Sequence, residues 1–223
     1  MAITFVASAI FENSGAASNP IAVPSGTAVG DIMVACLGYR GNVVGITPPS
    51  GWTLISRTNE VTHMSLSMYY RAFVAGDTSF TWTFALNVNA ASVIVSYSGC
   101  DTTSPVDVSA TQTNNASLTI TGPSVTTTFA NDMGLSIALS ESSGQNFAVP
   151  TGQTLRAYAS AHGASVNNSG CSIGVWDKLL PSIGATGTWT TTQDNSRDSI
   201  GGTVALKTST VGRANLLASL GVG

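Results

Sequence analysis

The sequence predicts an all-β protein, an antiparallel jelly-roll-like β-sandwich with an internal duplication. Three observations lead to this prediction. Apolar and polar side chains alternate with a period of two along much of the chain. Turn signals rich in Gly, Pro, Asn and Ser interrupt the alternation every roughly 10 to 20 residues. Motifs of the first hundred residues recur in the same order in the second hundred. We therefore expect two similar halves of about seven strands each, followed by a short apolar C-terminal tail.

The duplication rests on five ordered matches. Gly30-Asp31 recurs as Asn131-Asp132, and the Pro49–Leu54 turn recurs at 150–155, both at an offset of 132 − 31 = 101. Two further pairs have an offset of 189 − 82 = 107, and a last pair has 203 − 93 = 110. The slowly growing offset indicates a repeated supersecondary unit with loop insertions. The last three pairs are Tyr69-Tyr70-Arg71 with Trp176-Asp177-Lys178, Thr81-Trp82-Thr83 with Thr188-Trp189-Thr190, and 93–96 with 203–206.

Individual strands follow from the alternation. Met64, Leu66 and Met68 share one face of a strand whose other face carries serines, and Phe80 and Trp82 alternate with threonines. Turns such as Pro24-Ser25-Gly26 and Ala75-Gly76-Asp77 separate the strands. In the first half, strands are predicted near residues 3–10, 19–23, 31–39, 52–58, 63–74, 79–86 and 91–98, and the second half repeats this order from about 107 to 208.

These strands define three segments. Residues 1–100 form a first β-sandwich repeat, and residues 101–209 form a second repeat that packs on the first, because no linker longer than a turn separates Gly99 from Val106. Residues 210–223 form a tail in which Leu216, Leu217 and Leu220 would share one face of a short helix. A solitary helix of this length is marginal in water. We expect the tail to dock on its own body or on a neighbouring subunit, with these three leucines as the docking residues.

Composition excludes several classes of protein. Only 9% of the 223 residues are charged, and the net charge is −3. The eight basic residues are scattered, so a nucleic-acid partner is not expected. No apolar run reaches the roughly 18 to 20 residues of a membrane span, and the N-terminus does not resemble a signal peptide. The three cysteines, Cys36, Cys100 and Cys171, lie in or beside strand-like runs and are predicted to be small buried apolar residues.

Catalytic residues are not predicted. His63 and His162 lie in no recognisable hydrolase signature. Asp31 and Asp132 are equivalent positions in the two halves, and capping of a turn explains both. Asp101 with Asp107, or the loop 194–198, could offer oxygen ligands to Ca²⁺, but solvated loops explain these residues better. No metal and no cofactor are expected, and the other acids considered, Asp77 and Asp177, are placed at strand edges and turns.

Tryptophan supplies the remaining candidates. Trp82 and Trp189 are repeat-equivalent and lie within alternating strands, which predicts core packing. Trp52, Tyr69 and Trp176 are less constrained by the pattern, and exposed rings at these positions could stack on sugars. These three residues form the glycan-stacking alternative.

Several of these motifs together resemble a family of phage virion proteins and bacterial surface or secreted proteins. The resemblance is carried by Gly30–Ala35, Pro48–Ile55, and Tyr97-Ser98-Gly99-Cys100-Asp101 followed by Pro105-Val106-Asp107. These stretches are similar to a progression GDLLVA, PPSGWTLI, YSGVD, PID with a closing VALK, and the similarity spans residues 3 to 208. Cys100 stands where the family usually has an aliphatic residue. The resemblance implies a β-sandwich used for structure or attachment, without catalytic residues to carry over.

We therefore expect a non-enzymatic phage virion structural protein, made in the bacterial host cytoplasm and located in the virion. Its most favoured role is a capsid decoration or cement subunit that coats or stabilises the shell. The partners would be the major capsid protein or another virion protein, and further copies in a homo-oligomer. The alternative is a tail-associated or surface carbohydrate-binding module that mediates attachment, and a glycan hydrolase is a third possibility. Neither nucleic acid nor membrane is expected as a partner, whereas a glycan is possible.

Overall fold

The computed structural model describes residues 2–41, 44–60, 63–162 and 170–209, and confirms the all-β sandwich. Within these ranges the first half of the chain builds one antiparallel sheet, in the order β1-β6-β2-β5-β4 with β3 paired to β6. Its strands are β1 (Thr4–Ala22), β2 (Ile32–Arg40), β3 (Ile46–Thr47), β4 (Thr53–Asn59), β5 (Met64–Ala72) and β6 (Ser79–Ser98).

The second half builds a second antiparallel sheet in the order β7-β13-β9-β11-β10, with β8 and β12 as a separate two-stranded pair. The strands are β7 (Val106–Gly122), β8 (Thr126–Thr127), β9 (Asp132–Ser140), β10 (Thr154–Ala161), β11 (Cys171–Leu180), β12 (Gly184–Ala185) and β13 (Trp189–Leu206). Corresponding strands of the two halves thus occupy corresponding places: β1 with β7, β6 with β13, β2 with β9, β5 with β11, and β4 with β10.

Strand pairing corrects the last repeat offset. Ile32 pairs with Tyr97, and its counterpart Met133 pairs with Leu206, so the offset is 206 − 97 = 109 and the expected 110 is wrong. Because side chains alternate between faces, a slip of one residue would exchange the two faces of the strand. At an offset of 109, Val95 and Val204 are equivalent, and both lie in the same core.

The long strands bend, so each half folds back over one face of its own sheet in a jelly-roll-like manner. β1 and β6 pair along almost their whole length, with register shifts between Ser14 and Ser18. The four strands expected at 3–10, 19–23, 79–86 and 91–98 therefore join into two. The distal parts of β1 and β6, with the short β3, pack against one face of β2 and enclose an outer core that includes Met33, Leu37 and Trp82.

A central core lies between the two sheets. Ile32, Val34 and Cys36 of β2 share it with alternate residues of β9, Leu135, Ile137 and Leu139. The intervening residues of β2 face the outer core of the first half, so this strand is buried on both faces, and β9 is buried along its whole length. The two repeats each contribute one sheet to a shared core. Burial of such side chains, at about 1.5 to 3 kcal/mol each, is the main source of cohesion between the halves.

Side-chain bonds between the sheets follow the internal symmetry. Arg40 Nη1 lies 3.2 Å from Oε2 of Glu141, its counterpart at 40 + 101. At one lateral edge Ser8 of β1 donates to the carbonyl of Arg156 in β10 at 2.8 Å, and at the other the hydroxyls of Thr58 and Thr111 join β4 to β7. The edge strands of each sheet are thus linked to the opposite sheet, which limits unwanted strand pairing.

Candidate functional site

The three rings of the glycan-stacking alternative are buried, so they lack the exposed faces that this alternative requires. Trp52, Tyr69 and Trp176 have exposed fractions of 7%, 3% and 0%. The ring of Trp52 lies 5.0 Å from that of Trp82 and 5.1 Å from that of Phe80, centroid to centroid. Aromatic rings in this geometry fill an apolar core, and none of the three presents a free face to a sugar.

These rings are buried because each half has an outer core of its own in addition to the central core that the two halves share. Tyr69 and Trp176 are equivalent positions of β5 and β11, and each packs in the outer core of its own half. Trp82 and Trp189 are also buried, which confirms their predicted core role. The indole N–H of Trp189 donates to the Thr203 hydroxyl at 3.0 Å.

Neither histidine lies within a strand. His63 immediately precedes β5, where its backbone N–H donates to Glu60 Oε2 at 2.8 Å and its carbonyl accepts from Gly41. His162 directly follows β10. These positions at strand ends agree with the sequence-based expectation of a polar role outside the core.

Asp31 confirms the predicted turn cap. Its Oδ2 accepts the backbone N–H of Ala28 at 2.9 Å, just before β2 begins. In the following loop Asp77 accepts two bonds from the Arg71 guanidinium, at 2.9 and 3.0 Å, and one from the N–H of Val74. Both carboxylates therefore fix the loops that precede and follow the β2–β5 strand pair.

Asp132 departs from this pattern, and its predicted turn-capping role is wrong. It is fully buried, and neither carboxylate oxygen has a hydrogen-bond partner among the described residues. Burial is the main cause that raises the pKa of Asp132 to about 7, and the neighbouring carboxyl group of Asp107 adds to it. Burial alone would raise the pKa of Asp107 as well, but bonds from the Thr128 hydroxyl and backbone N–H hold it below its ordinary value.

Asp177 also lies elsewhere than expected, inside β11 rather than at a turn. Its buried carboxylate accepts the Tyr97 hydroxyl of the opposite sheet at 2.9 Å and Arg156 Nε at 2.8 Å. The Arg156 guanidinium in turn lies 4.5 Å from the ring centroid of Phe5. Burial is the main cause that raises the pKa of Tyr97, so this hydroxyl stays protonated and donates. The group is a polar cross-link between the two repeats.

The remaining acids considered as calcium ligands accept hydrogen bonds from donors of the protein itself. Asp101 accepts the N–H groups of Ser104 and Thr103 at 2.9 and 2.8 Å, which lowers its pKa. Asp194 accepts from the backbone and side chain of Asn146. Over the described ranges, no group of three or more His, Cys, Asp or Glu side chains is arranged to hold a metal ion.

The three cysteines are buried, as the sequence predicts, and their thiols are free. Burial raises the pKa of Cys36 to about 12, and it is also the main cause that raises the pKa values of Cys100 and Cys171 to about 12. Their thiolates are therefore scarce near neutral pH, and these thiols are poor nucleophiles.

A small cavity lies in the second half, between β9, β11 and β13. Gln153, Lys178, Trp189 and Thr203 contribute to its lining, and its volume is ≈ 10 Å³. This space accommodates about one water molecule and no organic ligand.

Exposed apolar side chains gather at one end of the sandwich. We call this the loop end and define it by the loops 24–31, 73–78, 123–131 and 181–188 and the strand termini beside them. Val29 and Ile183 are exposed to 72% and 62%. The exposed apolar residues here are Val29, Leu54, Val74, Phe129, Leu155, Leu179 and Ile183, whereas the opposite end exposes Leu86 and Leu118. Ile10 within β1 and Val149 in the connection 141–153 are exposed as well. Leu216, Leu217 and Leu220 of the tail lie outside the described residues.

The structure thus defines an internally duplicated β-sandwich whose aromatic and acidic side chains pack cores, cap turns and cross-link sheets. No family model matches the chain, and no curated protein matches it. A solved structure with limited similarity is the PBSX exported protein XepA, at 10% identity and a TM-score of 0.24, with 91% of this chain and 86% of that chain covered. No helix among the described residues is long and apolar enough to cross a membrane.

Proposed function

We propose that this chain is a non-enzymatic phage virion structural protein, a capsid decoration or cement subunit that acts through protein–protein contacts. The observation that carries the proposal is the combination of one core shared by both repeats with apolar side chains left exposed at the loop end. The motif resemblance of residues 3 to 208 supports the same class. A rigid body with a pre-formed apolar surface loses little conformational freedom on docking, which favours a structural subunit.

The acidic and thiol side chains, which are the groups able to take part in chemistry, support a structural role. Asp177 links the two sheets, Asp31 caps a turn, and the thiols of Cys36 and Cys171 are buried in the central core. The glycan-binding alternative would require Trp52, Tyr69 or Trp176 to present a ring face to solvent, and all three are buried. This burial argues against the glycan-binding alternative.

A decoration subunit is held on the shell by the area that each contact buries and by the number of times that the contact is repeated. A stable contact buries about 1,200 to 2,000 Å² in total, and a shell repeats the contact many times, so modest affinity per copy gives firm attachment. In this proposal the tail residues 216, 217 and 220 extend the contact to a neighbouring subunit, and the major capsid protein or another virion protein supplies the underlying surface.

The test is an add-back experiment. Particles of the encoding phage made without this chain should bind the purified protein at many sites, and the occupied particles should resist heating better than bare ones. Particles of an unrelated phage serve as the control for non-specific adsorption. Failure of the purified chain to bind its own particles, or equal binding to the unrelated ones, would refute the decoration role.

A further inference from the structure

The second sheet ends in a strand whose outer edge is bound by side chains and not by another strand. Among the described residues β10 is the last strand of this sheet, and it pairs with β11 on its inner side. Alternate residues of an antiparallel strand direct their backbone N–H and C=O groups away from the partner strand. The N–H of Ser160 and the carbonyl of Arg156 lie on this outer side, where both are bound by side chains of β1. Such a row of backbone groups is a template for the addition of a further strand.

Two side chains of β1 cover the outer edge of β10. The hydroxyl of Ser8 donates to the carbonyl of Arg156 at 2.8 Å, and Oε1 of Glu12 accepts the N–H of Ser160 at 2.8 Å. Both bonds join residues that are 148 positions apart, so the two strands run side by side in the same direction. Ser8 and Glu12 are four positions apart and lie on one side of β1. Their side chains therefore take the place that the backbone of an added strand would occupy.

The edge of β10 has no outward-facing charge of its own. Within Thr154–Ala161 the charged residue is Arg156, and its Nε lies 2.8 Å from Oδ2 of the buried Asp177. Natural edge strands are commonly protected from association by charged side chains. Here the opposite sheet supplies that charge, through Glu12. Ile10, which lies between the two bonding positions of β1, is exposed to 48% and adds an apolar side chain beside the edge.

We propose that Ser8 and Glu12 form an edge guard, an autoinhibitory contact that prevents the outer edge of β10 from pairing with the same edge of a second copy. Every copy of the chain carries this edge, and two identical edges can pair antiparallel about a two-fold axis. Removal of the guard leaves the outer backbone groups of β10 without their side-chain partners, and pairing with a second copy would satisfy them again. The inference does not rest on the proposed role in the virion, because it concerns the free chain.

The experiment compares self-association of the purified full chain with that of the double variant Ser8→Ala, Glu12→Ala. Sedimentation velocity from about 1 to 100 µM, without virions, measures the association constant. We expect the double variant to associate at least about 10-fold more strongly than the wild type. No increase would overturn the proposal.

A matched control changes the same residue types away from this edge. Ser98 donates to the carbonyl of Thr4, and Glu141 accepts from Arg40. The double variant Ser98→Ala, Glu141→Ala also removes one hydroxyl and one carboxylate, and it should sediment like the wild type. Association equal to that of the guard variant would overturn the proposal.

A further variant separates hydrogen bonding from charge. Glu12→Gln removes the negative charge but keeps a side-chain oxygen that can accept the N–H of Ser160. We expect this variant to remain close to the wild type in sedimentation. If Glu12→Gln associated as strongly as Glu12→Ala, repulsion between carboxylates would explain the effect and the edge guard would be wrong.

Amide hydrogen exchange followed by NMR locates the contact. In dilute Glu12→Ala the N–H of Ser160 should exchange at least about 10-fold faster than in the wild type. The N–H of Ala159, which by alternation points towards β11, should keep its rate and thereby report an intact sheet. In the associated double variant the Ser160 N–H should be protected again, because the second copy supplies an acceptor. An unchanged rate at Ser160 in dilute Glu12→Ala, or no protection on association, would contradict the proposal.

Discussion

Replacement of the buried carboxylate at the junction of the two repeats tests the architecture most sharply. Asp177→Ala removes the acceptor of both Tyr97 and Arg156. The Tyr97 hydroxyl is then buried without its partner, which costs about 1 to 3 kcal/mol. Loss of one partner of a fully buried ion pair costs about 3 to 5 kcal/mol, but the Arg156 side chain is 27% exposed and recovers part of its hydration. We therefore expect a total loss of about 2 to 4 kcal/mol in the free energy of unfolding.

Urea denaturation followed by tryptophan fluorescence measures this loss, because Trp82, Trp176 and Trp189 are buried in the outer cores and report on both halves. For a chain of this size the loss corresponds to a fall in Tm of about 5 to 15 °C. Combined with Tyr97→Phe, the two losses should be non-additive by about 1 to 2 kcal/mol, since both changes break the same bond. A loss below about 0.5 kcal/mol, or full additivity, would refute the cross-link between the repeats.

Two further predictions concern single positions. Gly99→Ala should lower the free energy of unfolding by about 2 to 4 kcal/mol, because φ is 77° and a new Cβ would lie 2.4 Å from the Ala2 carbonyl oxygen. The control Gly152→Ala, at φ 72° in open space, should lower it by about 1 kcal/mol in the same urea assay. Equal losses for the two variants would exclude the backbone clash at Gly99. Relative to the variant Asp132→Asn, the wild type should lose about 2 to 4 kcal/mol in the free energy of unfolding between pH 5 and 8. The folded-state pKa of about 7 exceeds the ordinary value near 3.9, so the fold favours the protonated acid and its advantage fades as the pH rises through 7. Parallel pH profiles for the two proteins would show that Asp132 is not protonated in the fold.

Local pattern was sufficient to predict the strands and the duplication. Alternation at Met64–Ala72 and at Phe80–Phe84 is a property of consecutive residues, and the repeat of Trp82 as Trp189 can be found in the sequence alone. The glycine of the Tyr97–Asp101 motif also has a physical reason in the structure, since Gly99 adopts a positive φ against the backbone of Ala2.

What the sequence did not predict depends on contacts between distant residues. Trp52 precedes β4, outside any alternating run, and its burial follows from Trp82, thirty residues away. Asp177 is the second-half counterpart of Tyr70, and its role depends on Tyr97 and Arg156 from other strands. An acid within the apolar run of β11 was the one local signal that a buried polar group required partners.

The most direct test of the proposed role is the copy number of this chain in purified particles of the encoding phage, measured by quantitative mass spectrometry against the major capsid protein. A decoration or cement subunit should be present in hundreds of copies per particle. Absence from the particle, or the few copies typical of a tail component, would contradict the proposed role on the capsid.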